Sequence, residues 1–242
     1  MTKKSKARLN RVLNSIPDNM IDPLTVLICT PSHAGKVETS YAGGLASCAS
    51  AHLFGNMAFL NNNSHVSLAR DTMADGFLRS PFEWMVFIDD DIGFTERDFR
   101  ILMDYPVNDV PPMDDSYASK DEKGRVLISC AEYSRKDEQN TPARFGLGFT
   151  RIHRKVFEAL DALTFDNGEE RVRQYRHQGR MLRDYFISGA MTDGNFLGED
   201  TGFFSLVRLA GITPRIEQRT RLIHTGRKQY AYVAPTIAAV TQ

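Results

Sequence analysis

A single α/β domain built on a mainly parallel sheet is the fold class this sequence predicts. Two observations lead to it. Short apolar, β-branched runs alternate with longer segments of helical period, in the order strand, helix, strand, helix, strand. The chain has 242 residues, 42% hydrophobic and 25% charged, which suits one ordinary globular core.

The elements follow in order. Residues 1–22 read as a basic, weakly amphipathic arm, set off from the domain by "IPDNMIDP". "LTVLICT" (24–30) is a buried-strand pattern that ends at Pro31 and the turn-prone "SHAGK". Residues 41–55, rich in alanine and small side chains, read as a helix. "MAFLNNNS" is a short strand running into a polar turn. In "HVSLARDTMADGFLRS" the apolar residues Val66, Leu68, Ala69, Met73, Phe77 and Leu78 recur near a helix period. "WMVFI" is then a third buried strand, and "TERDFRILMDY" offers Thr95 as an N-cap with Asp98 three residues on. Residues 104–124, with three prolines and clustered Asp, read as a surface loop. "RVLISCAEY" and "ARFGLGFTRIH" are strand-like, "RKVFEAL" is helical, and 164–184 reads as charged and irregular. "GEDTGFFSLVRLAG" is a helix entered through two acids and stopped by Gly211, and "TPRIEQRTRLIH" is extended. The domain is thus expected over 23–228, with an uncharged tail at 229–242.

Thirty basic and thirty acidic side chains cancel, so net charge alone indicates neither a nucleic-acid nor a membrane partner. The distribution is less even: residues 1–11 carry five basic and no acidic side chains, and 171–183 holds Arg171, Arg173, Arg176, Arg180 and Arg183. Cys29, Cys48 and Cys130 lack C-x-x-C spacing and lie in apolar or small-residue settings, so buried free thiols are expected. The basic N-terminus lacks the apolar stretch of a secretory signal, and no run approaches the roughly 18 apolar residues of a membrane span. A soluble cytoplasmic protein is the expectation.

The chemistry centres on "FIDDDIGF". Asp89, Asp90 and Asp91 repel one another unless water or a cation screens them. Residues two apart on an extended strand share a face, so Asp89 and Asp91 can address one ligand. Such a pair suits a hard divalent cation, Mn²⁺ or Mg²⁺, holding a diphosphate; the plain alternative is a strand-end turn with solvated aspartates. In "GED", Glu199 and Asp200 either complement a helix dipole or supply a general base for an acceptor hydroxyl. His224, in "LIHTGRK", is either structural or completes a carboxylate metal site, and Arg227 and Lys228 can neutralise phosphate charge. Arg70, in "SLARD", either pairs with the Asp cluster or makes a surface salt bridge.

Taken together, "VLICTP", "SLARD", "FIDDDIGF", "GFTRIHRKVF", "FLGED" and "LIHTG" resemble, in order and spacing over residues 24–228, glycosyltransferases of the GT-A fold, a Rossmann-like architecture. The texture is most similar to compact members from bacteriophages and large DNA viruses. The resemblance implies that Thr30 and Pro31 border the nucleotide base, that Asp89 contacts the ribose, with Asp90 beside it, and that Asp91 and His224, with Asp89, bind Mn²⁺ or Mg²⁺ on the diphosphate. It implies Asp200 as the base of an inverting displacement, with Glu199 holding the acceptor or taking that role itself, and Arg70 orienting the acids. Many relatives have asparagine where Asp71 stands. The absence of a Q-x-x-R-W motif favours a single-addition enzyme.

The expected reaction moves one sugar from a nucleoside-diphosphate donor, uridine diphosphate foremost, to an acceptor hydroxyl. The arginines of 171–183 and the basic arm would suit hydroxymethylated DNA as acceptor; a cell-surface glycan or a protein are the alternatives, as a charge run is commonly a solvated face. Two other classes stay open. A sugar nucleotidyltransferase also uses metal-binding aspartates, though "PSHAGK" only faintly imitates its phosphate loop. A binding module could keep the fold without turnover.

Overall fold

The computed structural model describes residues 17, 19–61, 63–136, 141–190, 194, 196–225 and 229–233, with backbone alone at 133–136, 141–144 and 229–233. Asp22 caps a short 3-10 turn, Pro23–Thr25, by accepting from the Leu24 amide. The chain then lays down β1 (Val26–Ser32), α1 (Thr39–Ser50), β2 (Asn56–Asn61), α2 (Val66–Leu78) and β3 (Trp84–Ile88), the expected alternation. β1 pairs parallel with both β2 and β3. Further on come β4 (Ile92–Gly93), α3 (Glu96–Leu102), β5 (Ile128–Cys130), β6 (Tyr133–Lys136), β7 (Thr141–Phe145), β8 (Phe149–His153) and α4 (Arg154–Asp161).

The main sheet has six strands in the order β13-β5-β8-β3-β1-β2, where β13 is Arg215–Ile216; the short strands β11 (Gly189–Ala190) and β12 (Phe196–Leu197) pair with each other outside it. Only β8 runs against its neighbours, antiparallel to β3 and to β5, so the sheet is mixed and mostly parallel. Both faces are covered, which is why β1 and β3 are buried throughout and Val26–Cys29 and Trp84–Ile88 are apolar instead of alternating. Side chains of β3 divide by the period of two: Met85 and Phe87 join one core with Met73 and Phe77 of α2 and Val156, Phe157 and Leu160 of α4. Trp84, Val86 and Ile88 join the other, with Tyr41 and Cys48 of α1 and Phe99 and Leu102 of α3. α5 (Glu199–Leu209) adds Phe203, Phe204 and Val207 to the first core. The result is a Rossmann-like single α/β domain.

Local signals account for several boundaries. Thr95 caps α3 in a reciprocal capping box with Asp98. Gly211 follows α5 at φ 72°, a left-handed position that glycine fills without steric cost. Residues 104–124 hold no helix or strand, as expected. All three cysteines are free and buried.

One segment differs from its reading. Residues 164–184 are not irregular throughout: β9 (Gln174–His177) and β10 (Arg180–Arg183) form an antiparallel ribbon. The two-residue turn Gln178-Gly179, with both φ positive at 47° and 77°, closes it in the manner of a primed hairpin turn. Its anchor is Asp71 of α2, whose carboxylate accepts from the Tyr175 hydroxyl at 2.8 Å and from the Tyr185 and Phe186 amides at 2.9 and 3.2 Å. Burial pushes the Asp71 carboxyl up to about 7 against the pull of those donors.

The ends of the domain also pack. Ile21, at the end of the expected arm, is buried in the second core. β14 (Arg221–Thr225) pairs antiparallel with β4 and with β15 (Gln229–Val233), the start of the expected tail. Among the described residues no helix is long and apolar enough to cross a membrane.

Candidate active site

The carboxyl ends of β1 and β3 open into a cleft of about 200 Å³ lined by Pro31, Ser32, His33, Asn63, Ser64, Val66 and Ala69 together with Asp89, Asp90 and Asp91. Its position follows from topology, because loops leave a parallel sheet at that edge and helix α2 begins there. The triplet lies in a turn, not on the strand, since β3 stops at Ile88. The shared-face argument from strand spacing is therefore corrected: the three acids line one cleft because the chain turns, and Asp89 and Asp91 have different partners.

Asp89 Oδ2 accepts from Arg70 Nη2 at 3.1 Å. Burial first, then Asp91, Asp89 and Glu38, hold the Asp90 carboxyl above the usual range, with Ser32 nearby opposing the rise. Asp91 Oδ2 stands 3.1 Å from His224 Nε2. That contact joins residues 133 apart in sequence because β14 pairs with β4 in the register His224↔Ile92, and the Thr225 amide donates to the Asp91 carbonyl at 2.9 Å.

Arg70 is the centre of the site. It is 2% exposed, lies over the Phe87 ring at 5.1 Å, and reaches Asp200 Oδ1 at 4.0 Å as well as Asp89. Burial works against its charge, but Asp89, Asp200 and Glu199 outweigh it and raise the guanidinium further. Asp200 and Glu199 form the first turn of α5. α5 can approach closely because residue 202 is glycine: a Cβ there would lie 2.1 Å from the Ile187 carbonyl oxygen. Burial pushes the Asp200 carboxyl up to about 6, Arg70 opposing and Glu199 and Asp89 adding to the rise. Arg70 Nε and Nη1, Asp89 Oδ1 and Asp200 Oδ1 are buried polar atoms without a hydrogen-bond partner among the described residues. Four such atoms around one ion pair leave hydrogen-bonding capacity that the described residues do not fill.

The structure thus brings Pro31, Arg70, Asp89, Asp90, Asp91, Glu199, Asp200 and His224 to one edge of the sheet. Thr30 is a correction: it is fully buried and its hydroxyl is spent on the Tyr41 hydroxyl at 2.5 Å, fastening α1 to β1, so it does not border the cleft. Arg227 and Lys228 lie outside the described residues. One site residue escaped the sequence reading, Glu132, which follows β5 at the same edge. Its carboxylate lies 3.8 Å from His224 Nδ1, and burial, then Asp89, push it up to about 7. The signal that could have found it is an acid just past a sheet strand, the same signal that singled out Asp89.

Six carboxylates therefore surround one arginine and one imidazole, an excess of negative charge that suits a cation. Among the described residues no three His, Cys, Asp or Glu side chains close a metal site by themselves. The Asp91–His224 pair nonetheless has the right chemistry for an open one, a hard oxygen and a borderline imidazole nitrogen.

Fold and site define a Rossmann-like α/β protein with an acid-rich cleft at its strand ends. No protein-family model and no curated protein matches the chain. Among solved structures it is similar to A197 from STIV, with TM-score 0.50 and 16% identity over 90% of this chain and 98% of that one, a likeness of fold. A glycosyltransferase involved in the glycosylation of the major capsid of PBCV-1 aligns at TM-score 0.34 and 10% identity over 55% of this chain and 62% of that one, too slight to bear on chemistry.

Proposed function

We propose that the chain is a divalent-cation-dependent glycosyltransferase that moves one sugar from a nucleoside-diphosphate donor to an acceptor hydroxyl with inversion. The observation that carries this is the Arg70–Asp89 ion pair, flanked by the Asp91–His224 pair and by Asp200, at the edge of the sheet where a nucleotide is expected. Asp91 and His224 would hold Mn²⁺ or Mg²⁺. Once bound, the cation supplies charge stabilisation for the departing diphosphate.

This chain's own residues do the rest. Asp89, fixed by Arg70 through Oδ2, lines the cleft and would accept from a ribose hydroxyl. Pro31, Ser32 and Asn63 line the cleft that would seat the nucleoside. Asp200 takes the acceptor proton as that oxygen attacks the anomeric carbon; the carbon–oxygen bond to the diphosphate breaks, and the diphosphate leaves with its electron pair. Arg227 and Lys228 would neutralise part of that charge. Thermal shift against nucleotide sugars, UDP-sugars first, tests the donor side: a rise in Tm that requires Mn²⁺ supports the reading, since a ligand of the folded state stabilises it. No shift with any donor and metal would overturn it.

For the acceptor the reading is hydroxymethylated DNA, favoured by the β9–β10 ribbon. Arg171 caps the Thr164 carbonyl and stacks on Phe165, and Arg183 pairs with Asp161 and Glu170. Arg173, Arg176 and Arg180 are exposed and enter no ion pair among the described residues. A two-stranded ribbon is a shape the major groove admits. Nearby in sequence, Phe196 is 77% exposed four residues before Asp200, where it could stack on an extruded base. Charge reversal at Arg173, Arg176 and Arg180 is expected to flatten the salt dependence of duplex binding by roughly 2–3 units of log K against log salt, near 0.9 per phosphate contact. Fluorescence anisotropy at several salt concentrations measures it. A wild-type slope near zero would remove DNA and leave a glycan or protein acceptor.

A further inference from the structure

Glu132 takes no part in the reaction as described, yet the fold makes room for it. A Cβ at residue 148 would lie 2.4 Å from Glu132 Oε2 and 3.0 Å from Asp89 Oδ2, and one at residue 146 would lie 2.9 Å from Glu132 Oε2, so the two glycines before β8 form a cradle for the Glu132 carboxylate, with Asp89 at its edge. The cradle holds an acid where acids are already crowded, beside Asp89 and Asp200. An arrangement that costs stability and is built into the backbone points to function. What the carboxylate addresses is His224: Oε1 is 3.8 Å from Nδ1, while Nε2 of the same ring stands 3.1 Å from Asp91.

We propose that Glu132 is a positioning residue for the cation site, holding the His224 ring through Nδ1 so that Nε2 is presented beside Asp91. The inference rests on the reading that Asp91 and His224 hold a divalent cation. A histidine that binds a metal through one ring nitrogen commonly donates the other N–H to a carboxylate, which fixes the ring and raises its basicity. The 3.8 Å separation is ionic contact, longer than a direct hydrogen bond. Closure of that gap when Nε2 is engaged is part of the proposal. Neither Asp89, held by Arg70, nor Asp90 contacts the His224 ring among the described residues.

The test is Mn²⁺ affinity, read by electron paramagnetic resonance on the full chain with uridine diphosphate present. Glu132→Gln is expected to weaken Mn²⁺ binding about 10–100-fold, with Tm unchanged or raised because a crowded negative charge is removed. In a His224→Ala background the same substitution is expected to change Mn²⁺ affinity less than twofold, because Glu132 acts through that ring. Unchanged affinity in Glu132→Gln, or an equal loss with and without His224, overturns the positioning role. So does a fall in kcat at unaltered Mn²⁺ affinity, which would put Glu132 at the acceptor. Failure of the wild-type chain to take up Mn²⁺ would instead overturn the cation reading, and the inference with it.

Discussion

Asp200→Asn is expected to lower kcat by about 10²–10⁴-fold, the range that a positioned general base contributes, while leaving Mn²⁺-dependent donor binding intact. The carboxylate has what a base needs. It is partly desolvated, and its carboxyl is pushed up to about 6, so it is ionised at neutral pH and still basic enough to accept a proton as the acceptor attacks. The dominant cause is burial, against which Arg70 at 4.0 Å pulls downward and Glu199 and Asp89 push upward. The wild-type rate should therefore rise with pH through about 6 and level off above it, and the asparagine variant should lose that limb along with most of its rate.

The same shift has a sign for stability. A carboxyl raised in the folded state binds more protons there than in the unfolded chain, so its contribution is present below the ordinary carboxylate pKa and is lost as pH climbs through about 6. Asp200→Asn should then be at least as stable as wild type at pH 7.5 and nearly inactive. Steady-state kinetics across pH 5–8 with thermal melts on the same samples checks both. An acid limb that survives in the variant would move the base elsewhere, Glu199 being the nearest candidate, and retained anomeric configuration in the product would exclude an inverting base altogether.

The parts of the fold that were legible in the sequence are those where burial on both faces leaves a local trace. β3 and the Val26–Cys29 part of β1 are unbroken apolar runs because helices cover both sides of the sheet, and Thr95 with Asp98 spells out its own helix start. The β9–β10 ribbon was not legible, because it buries essentially one side chain, Leu182, and is fixed by Asp71 from a helix about a hundred residues earlier. Its only local trace was Gln178-Gly179, which charge on either side obscured.

At the site, Asp89, Asp91, Asp200 and His224 stood out because acids and a histidine just past apolar runs are costly unless used. The reason given for the aspartates was wrong in detail, since they are gathered by a turn. Thr30 misled because a small polar residue ending a strand looks like a ligand contact, whereas its hydroxyl holds Tyr41. Glu132 was hidden because its significance lies in Gly146 and Gly148, and no spacing along the chain shows which glycine makes room for which acid.

Arg70→Ala is expected to be the most destabilising single change in the site, at about 3 kcal/mol, the lower end of the cost of stripping one partner from a buried ion pair. Arg70 is 2% exposed, whereas Asp89 and Asp200 are 29% and 34% exposed, so water recovers part of what the carboxylates lose. Packing on Phe87 is lost as well. For a chain of this length the change corresponds to a fall in Tm of roughly 6–12 °C. Without the guanidinium, which opposes the rise, the Asp200 carboxyl goes up further in the folded state, so the deficit should shrink as pH falls from 8 to 5, where it becomes protonated. Arg70→Lys keeps the charge but not the planar guanidinium whose Nη2 faces both Asp89 and Asp200, so it should recover most of the stability and little of the rate. Urea unfolding at pH 8 and pH 5, with turnover measured in parallel, separates the two roles. A deficit under 1 kcal/mol at pH 8 would mean that the acids do not depend on Arg70, and the site would then have to be rebuilt around a different counter-charge.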